Sequence, residues 1–262
     1  FNKDFFDDKR YQGIDGNEIL DTIKHSLIKY MGIKNFRQTL YYLLKNKIIT
    51  ESDYFKITDS FFVYQLNMDE HHNFVDNNGQ DMSEFTRIYS KAKYGSYNDI
   101  QVLSDILYIY ISNELEDDSS YFSLFFKEVK NNDEKIVLLT TGCRHAPSTA
   151  TIVFQILSER LNVKLSLLNL PTIINVRLPK LALHCENYAS LSNEDRINIS
   201  KNRDHIIPEK NFFSQNNIHV IFGDDVFITG STADKLQLEC MRNGAKSFRS
   251  LYLAVVNPIT VF

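Results

Sequence analysis

The chain has 262 residues, of which 43% are hydrophobic and 24% charged, so it is long enough for one large domain or two small ones. Its net charge of −4 gives no electrostatic basis for binding nucleic acid or a membrane surface, and no apolar run is long enough to span a bilayer. Three widely spaced cysteines, Cys143, Cys185 and Cys240, argue against a disulfide framework, so we expect a cytoplasmic protein in a reducing compartment.

Residues 1–130 are predicted to form a mostly helical N-terminal region. Apolar residues recur at helical spacing over residues 17–31 and 35–47, Thr50 begins a turn or a helix cap, and residues 61–66 have the pattern of a strand. Two interpretations of this order are a small winged-helix element and a helical cover on the rest of the protein. We favour the cover, which could also dock a protein partner, because no basic face for nucleic acid is evident.

Residues 69–98 are mostly polar and are predicted to be loop. His71 and His72 lie beside Asp69 and Glu70 and invite a metal hypothesis, but adjacent histidines diverge in regular structure, which favours a solvated turn. Helices are predicted at residues 99–116 and 121–129.

Strands and helices alternate after residue 131. Apolar runs predict strands at residues 136–139, 163–170, 173–176, 220–222 and 248–256. One helix is predicted to open at Pro147, and another to hold Ser231 and Thr232 in its first turn and to end at Gly244. The predicted fold is therefore α/β, with a parallel sheet covered by helices on both faces over residues 131–262 and a long loop at residues 178–217.

Two loops meet helix N-termini at the expected carboxyl edge of this sheet, where open α/β folds bind ligands. In one, residues 229–232 should present free backbone N–H groups to an anion such as a phosphate. The adjacent carboxylates of Asp224 and Asp225 can accept hydrogen bonds from sugar hydroxyls or attract a hydrated Mg²⁺. This layout suits a ribose 5-phosphate; the alternative is an ordinary strand-to-helix turn that the aspartates cap.

The segment Asp224-Asp225-Val226-Phe227-Ile228-Thr229-Gly230-Ser231-Thr232, preceded by mostly apolar residues, resembles the phosphoribosyl-pyrophosphate signature of type I phosphoribosyltransferases. The resemblance implies that family's fold and a Mg²⁺-dependent reaction with phosphoribosyl pyrophosphate. It implies that Asp224 and Asp225 act in catalysis, holding the ribose hydroxyls and the metal. The 5-phosphate would be anchored by Thr229, Gly230, Ser231 and Thr232.

The resemblance also implies a pyrophosphate-binding loop and a mobile basic loop. The pyrophosphate would be bound by Thr141, Gly142, Cys143 and Arg144, although this loop departs from the family's common Arg-Gly-Gly form and Arg144 is as readily a surface residue. Arg177 and Lys180 are similar to a basic catalytic pair that many members place just after a strand.

The acceptor of the ribose phosphate is not identified by the sequence. Enzymes that salvage 6-oxopurines place an Asp where this chain has Ile228, so hypoxanthine or guanine is a less expected acceptor. Residues 188–196 and Asp204-His205 resemble a divergent branch found in bacterial tellurite-resistance and conflict operons. The alternative function is therefore a non-catalytic or partner-controlled regulator that senses a nucleotide or sugar phosphate.

Overall fold

The computed structural model describes residues 40, 43–44, 47–68, 74–76, 79–143, 148–180, 213, 217–227 and 230–256. The chain divides into two compact units, Phe1–Ser60 and Phe61–Phe262. The described helices are α1 (Glu51–Ile57), α2 (Ser83–Lys93), α3 (Tyr97–Glu116), α4 (Tyr121–Asn131), α5 (Thr149–Leu167) and α6 (Ser231–Arg242). The described strands are β1 (Ser60–Met68), β2 (Phe74–Val75), β3 (Lys135–Cys143), β4 (Ile173–Lys180), β5 (Ile218–Phe227) and β6 (Ser247–Val256).

In the first unit, α1 begins with a reciprocal cap. Thr50 accepts a hydrogen bond from the Asp53 backbone N–H at 3.1 Å, and the Asp53 carboxylate accepts one from the Thr50 N–H at 2.9 Å. Both bonds satisfy amides that a helix start otherwise leaves without partners. The predicted cap at Thr50 is thus confirmed, whereas the helix predicted at residues 17–31 lies outside the described residues.

The strands form one six-stranded sheet in the order β2-β1-β6-β5-β3-β4. The pairs β3–β4, β3–β5 and β5–β6 are parallel, and β1 pairs with β2 in antiparallel fashion. The predicted α/β fold is confirmed, with a parallel arrangement for the four strands after residue 131. The whole sheet is mixed, because β1 and β2 from the N-terminal region extend it.

Both faces of the central strands are covered. Consecutive residues in β3 (136–139) and in β5 (218–222) are all buried, although neighbouring side chains of a strand point to opposite faces. One face packs on a hydrophobic cluster that includes residues of α2, α3, α4 and α5. All four helices belong to the unit Phe61–Phe262, including the three that precede β3, and the boundary proposed at residue 130 stays a prediction.

Helix α5 is longer than predicted, and the strand expected at residues 163–170 is wrong. Val153, Leu157, Leu161 and Leu165 recur every four residues and are all buried, which continues the helical stripe through this segment. Val163 and Leu167 lie on the exposed side of the same helix. The dense apolar run at its end resembled a buried strand because both sides of the helix carry apolar residues.

Helix α2 corrects the loop predicted at residues 69–98. Phe85, Tyr89 and Ala92 lie on one side of α2 and are buried, while most of its other residues are charged or polar. This high polar content concealed the helical spacing of a short amphipathic helix. The adjacent histidines His71 and His72 lie outside the described residues.

Cys240 is a free thiol buried in α6, and burial raises its pKa to about 12. A thiol of this kind stays protonated at neutral pH and is unreactive. Within the described ranges, no helix combines the length and the apolar character needed to cross a membrane.

Candidate functional site

Strands β3 and β5 part at the carboxyl edge of the sheet. Their paired register runs only as far as Thr140 and Gly223, whereas β3 stays paired with β4 to Cys143 and β5 stays paired with β6 to Phe227. The chain also changes direction in the sheet here, since β4 lies on one side of β3 and β5 on the other. Such a switch point opens a crevice in which α/β proteins bind ligands. We call it the β3–β5 fork.

Gly223 lies at the fork, at a point where α5 packs so closely against β5 that a side chain would not fit. A Cβ atom at this position would lie 2.7 Å from the ring of Phe154, closer than any ordinary contact. Phe154 is itself fully buried. Glycine therefore allows α5 to pack against β5 immediately before the two aspartates.

Asp224 and Asp225 lie inside β5 rather than in a loop after it. Each carboxylate accepts a hydrogen bond from the next backbone amide: Asp224 Oδ1 from the Asp225 N–H at 3.0 Å, and Asp225 Oδ1 from the Val226 N–H at 2.8 Å. These bonds hold both side chains against the strand beyond the point where β3 has separated from it. A carboxylate has about four lone-pair directions, so one bond from a backbone N–H does not by itself use up its capacity as an acceptor.

Helix α2 supplies two partners for Asp225. The Tyr89 hydroxyl donates to Asp225 Oδ2 at 2.9 Å, and Lys93 Nζ lies 3.5 Å from the same oxygen. The Lys93 ammonium also lies 4.5 Å from the centre of the Tyr89 ring, within reach of a cation–π interaction. We call Tyr89, Lys93 and Asp225 the carboxyl-edge cluster.

The pKa of Tyr89 determines which group donates the hydrogen bond between Tyr89 and Asp225. Burial raises the pKa of Tyr89 well above its ordinary value, and the charge of Asp225 raises it further. The phenol is therefore protonated at neutral pH and acts as the donor. The Asp225 side chain remains 20% exposed and that of Lys93 49% exposed, so both charged groups are open to a ligand from solvent.

Helix α6 begins as the sequence predicted, directly after the segment that contains the aspartates. Gly230 is its N-cap residue in the left-handed conformation, at φ 68°, and brings no side chain to the first turn. Ser231 and Thr232 open the helix. At the other end, Gly244 at φ 86° allows the Ala245 N–H to bond the Cys240 carbonyl, which confirms the predicted stop. Ile228 and Thr229 lie outside the described residues.

The end of β3 differs from the predicted loop at residues 141–146. Thr141, Gly142 and Cys143 continue the strand, and the Thr141 carbonyl accepts hydrogen bonds from the side chains of Ser148 at 2.9 Å and Thr151 at 3.3 Å. Ser148, rather than Pro147, precedes the first residue of α5, and its side chain caps that helix. Thr141 is consequently buried and tied to α5. Arg144 and Pro147 lie outside the described residues.

Arg177 and Lys180 lie within β4, not after it as predicted. In register they stand opposite Thr140 and Cys143 of β3, and the Arg177 side chain is exposed. Because β4 is on the far side of β3 from β5, both residues lie on a strand that does not adjoin the strand carrying the aspartates. Their catalytic role stays a prediction. Residues 181–212 of the predicted long loop lie outside the described ranges.

The sequence interpretation missed the residues that α2 contributes. Tyr89 and Lys93 are one helical turn apart and follow Phe85, so a count of helical spacing could have found the helix. The end of α2 also contacts α5, because the Thr149 hydroxyl donates to the Ala92 carbonyl at 3.4 Å. No feature of the sequence indicates that Tyr89 and Lys93 lie beside Asp225.

The expected Mg²⁺ has few protein ligands at this site. Among the described residues, no group of three or more His, Cys, Asp or Glu side chains is arranged to hold a metal ion. Asp225 already faces an ammonium group, which disfavours direct coordination. The two aspartates therefore fit an ion that keeps most of its water and takes its other ligands from a phosphorylated substrate, as Mg²⁺ commonly does.

No protein-family model, curated protein or solved structure matches this chain. The resemblance to type I phosphoribosyltransferases therefore rests on the segment that follows Gly223 and on the chemistry of its residues. The location of the aspartates at the β3–β5 fork is an independent observation, since it depends on the pairing of the strands.

Proposed function

We propose that the protein is a phosphoribosyltransferase that binds phosphoribosyl pyrophosphate with Mg²⁺ and transfers the ribose 5-phosphate to an acceptor nucleophile. The observation that supports this most strongly is the position of Asp224 and Asp225 at the β3–β5 fork, on the strand that precedes the glycine-capped start of α6 in the sequence. A diol-binding pair and an anion-binding helix start then follow one another within one strand–helix unit.

The ribose would bind to the aspartates. Their carboxylates are held against β5 by the following amides, and the partly exposed Asp225 side chain is open to sugar hydroxyls from solvent. During the transfer the bond from ribose C1 to the pyrophosphate oxygen breaks, a bond from C1 to the acceptor forms, and positive charge develops on the sugar ring. Two nearby carboxylates stabilise that charge, and a partly enclosed crevice strengthens the effect.

The phosphate would bind at the start of α6, where Gly230, Ser231 and Thr232 lead into the helix. The backbone N–H groups of a first helical turn and the helix dipole both favour an anion. Thr229 would complete this seat according to the family resemblance. Mg²⁺ would be bound by the pyrophosphate and by Asp224 or Asp225 through water, and it would neutralise charge on the leaving group.

The leaving pyrophosphate would meet the end of β3 and the residues that follow it. Thr141, Gly142, Cys143 and Arg144 are the proposed pyrophosphate-binding residues, and Arg177 and Lys180 are the proposed basic pair that offsets its charge. Since α5 begins at Thr149, directly after this segment, its dipole also favours an anion there.

Calorimetric titration with phosphoribosyl pyrophosphate and Mg²⁺ tests the proposal. We expect the unsubstituted protein to bind, and Asp224→Asn/Asp225→Asn to bind at least about 100-fold more weakly, because each asparagine keeps one neutral acceptor but loses the negative charge that strengthens bonds to the sugar and attracts the metal. Asp133→Asn is the matched control: Asp133 is exposed before β3, and its left-handed conformation suits asparagine equally well. A wild-type protein that does not bind the ligand would eliminate the proposed function.

A second candidate is a partner-controlled or non-catalytic regulator with the same fold. It is favoured by one observation, namely that Asp225 is already paired with Tyr89 and Lys93 from a helix outside the signature segment. A partner that moves α2 would then control the site. The two functions are separated by a pyrophosphate-release assay with a panel of nucleobases and amines, in which release by the isolated protein supports the enzyme.

A further inference from the structure

The last turn of α2 touches two elements of the β3–β5 fork. Lys93 pairs with Asp225 on β5, and the carbonyl of the preceding residue, Ala92, accepts a hydrogen bond from Thr149, the first residue of α5. The last two residues of α2 thus contact the acid end of β5 and the start of α5, respectively through the Lys93 side chain and the Ala92 carbonyl. Neither Ala92 nor Lys93 belongs to the segment that resembles the family signature.

Lys93 lies on the face of the sheet that α5 covers. Its neighbour Tyr89 belongs to the same buried cluster as Phe154, the α5 residue that approaches Gly223. Helix α5 follows the segment assigned to pyrophosphate binding. On the proposed assignment, the anionic part of a bound ligand on this side would be the pyrophosphate, while the 5-phosphate would bind at the start of α6.

The ion pair between Lys93 and Asp225 is too weak to keep the Lys93 ammonium from binding a ligand. The two atoms are 3.5 Å apart and the lysine side chain is about half exposed, and such pairs shift an equilibrium by at most about fivefold. A bound anion can therefore replace Asp225 as the partner of the Lys93 ammonium at a small cost in free energy. The Tyr89 hydroxyl bond is shorter and buried, so it is the contact that holds α2 and Asp225 in place.

We propose that Lys93 is a ligand-binding residue that contacts the pyrophosphate of the ribose ligand, and that Tyr89 is a positioning residue for both Lys93 and Asp225. This inference rests on the proposed function and extends it to a helix in the N-terminal region. It assigns α2 as one wall of the site, in place of a cover without contact to ligand.

Titration of Lys93→Met with two ligands tests the inference. Phosphoribosyl pyrophosphate and ribose 5-phosphate differ in the pyrophosphate group, so a residue that binds this group affects only the first ligand. We expect the affinity of Lys93→Met for phosphoribosyl pyrophosphate to fall about 10-fold to 50-fold, and that for ribose 5-phosphate to change less than about threefold. Lys93→Arg keeps the charge and should remain within about threefold of wild type for both ligands.

Lys91→Met is the matched control, because Lys91 lies on the same helix and its side chain is exposed. It should bind both ligands as the wild type does. An equal loss for both ligands in Lys93→Met would overturn the inference in favour of a role confined to Asp225, and unchanged or tighter binding of phosphoribosyl pyrophosphate would overturn it as well. A wild-type protein that binds neither ligand would instead remove the proposed function on which the inference rests.

Discussion

Strand β5 has a polar cluster at each end, and the two clusters are built differently. At its amino end, Glu134 binds His219 and Lys246, and His219 also contacts Ser247; we call these four residues the amino-edge cluster. At its carboxyl end lies the carboxyl-edge cluster defined above. Each cluster centres on one carboxylate with a nearby cation, so the pair forms a natural comparison.

The amino-edge cluster is closely bonded, and its carboxylate is almost fully buried although the Lys246 side chain is 43% exposed. Glu134 Oε2 lies 2.6 Å from His219 Nε2, Lys246 pairs with the other carboxylate oxygen, and His219 Nδ1 lies 2.8 Å from the Ser247 hydroxyl. The Glu134 side chain is only 6% exposed. This network joins the residue before β3 to the first residues of β5 and β6, which is the position expected of a stabilising clasp.

The amino-edge cluster is suited to stabilising the fold, and the carboxyl-edge cluster is suited to binding a ligand. The Glu134 side chain is 6% exposed and its two oxygens pair with His219 and Lys246, whereas the Asp225 side chain is 20% exposed and Lys93 stands 3.5 Å away. A buried, satisfied carboxylate is costly to disturb, while a half-exposed pair contributes little to stability and can change partners. Substitutions at the two ends of β5 should therefore have opposite consequences for folding and binding.

The largest effect on stability is expected at the amino edge. We expect Glu134→Ala to lower the free energy of unfolding by about 3 kcal/mol, because it leaves His219 buried beside an unpaired lysine. Urea unfolding followed by circular dichroism measures this change. Ligand affinity at the fork should stay within about twofold of wild type in the folded variant.

Glu128→Ala is the control for that experiment, since Glu128 is exposed on α4. It should change the free energy of unfolding by less than about 0.5 kcal/mol. If Glu134→Ala were as mild as this control, the amino-edge cluster would not be a clasp and the proposed contrast would be lost.

A second test introduces a steric clash at Gly223, which lies on β5 between the two clusters. We expect Gly223→Ala to destabilise the protein by about 2 kcal/mol, because the new Cβ would overlap the Phe154 ring and force α5 away from the strand. Adding Phe154→Leu should recover part of this loss by making room. Thermal unfolding of the single and double variants measures the recovery, and strictly additive losses would contradict the close approach.

The sequence predicted much of the region around β5. The apolar run before Gly223 marked a buried strand, Gly244 marked the end of the following helix, and the structure confirms both. These features depend on local chemistry, since burial on both faces requires an apolar run and a left-handed residue after a helix favours glycine. The strand and the helix end can therefore be predicted from the local sequence, without knowledge of the fold.

The rest of the candidate site could not be predicted because it depends on contacts between distant residues. Tyr89 and Asp225 are separated by 136 positions, and nothing in either local segment announces their hydrogen bond. The same limit applies to Thr141, whose carbonyl is bound by residues of α5 and which therefore lies in the strand and not in the predicted loop. At residues 163–170, alternation of Val163, Leu165 and Leu167 imitated a strand although only Leu165 is buried.

A smaller effect is expected for Tyr89→Phe, which removes the hydroxyl and keeps the ring. We expect the affinity for phosphoribosyl pyrophosphate to fall about fivefold and the free energy of unfolding to fall by about 1 kcal/mol, since one charge-assisted hydrogen bond is lost. Titration and urea unfolding on the same preparation measure both changes. Tyr110→Phe is the control, because Tyr110 lies on α3 and is not a neighbour of the aspartates. A variant that lost stability alone would remove Tyr89 from the site.

The smallest effect concerns pH and sharpens the contrast from the amino edge. Burial acts to raise the pKa of Glu134, but hydrogen bonds from Lys246 and His219 outweigh it and hold the pKa below its ordinary value. A lowered folded-state pKa contributes stability above the ordinary carboxyl pKa, and this contribution disappears as the pH falls through the lower folded value. We therefore expect Glu134→Gln to be less destabilising at about pH 3 than at about pH 7. Urea unfolding of wild type and variant at both pH values measures this; an equal difference at the two would show that the cluster contributes through packing and not through charge.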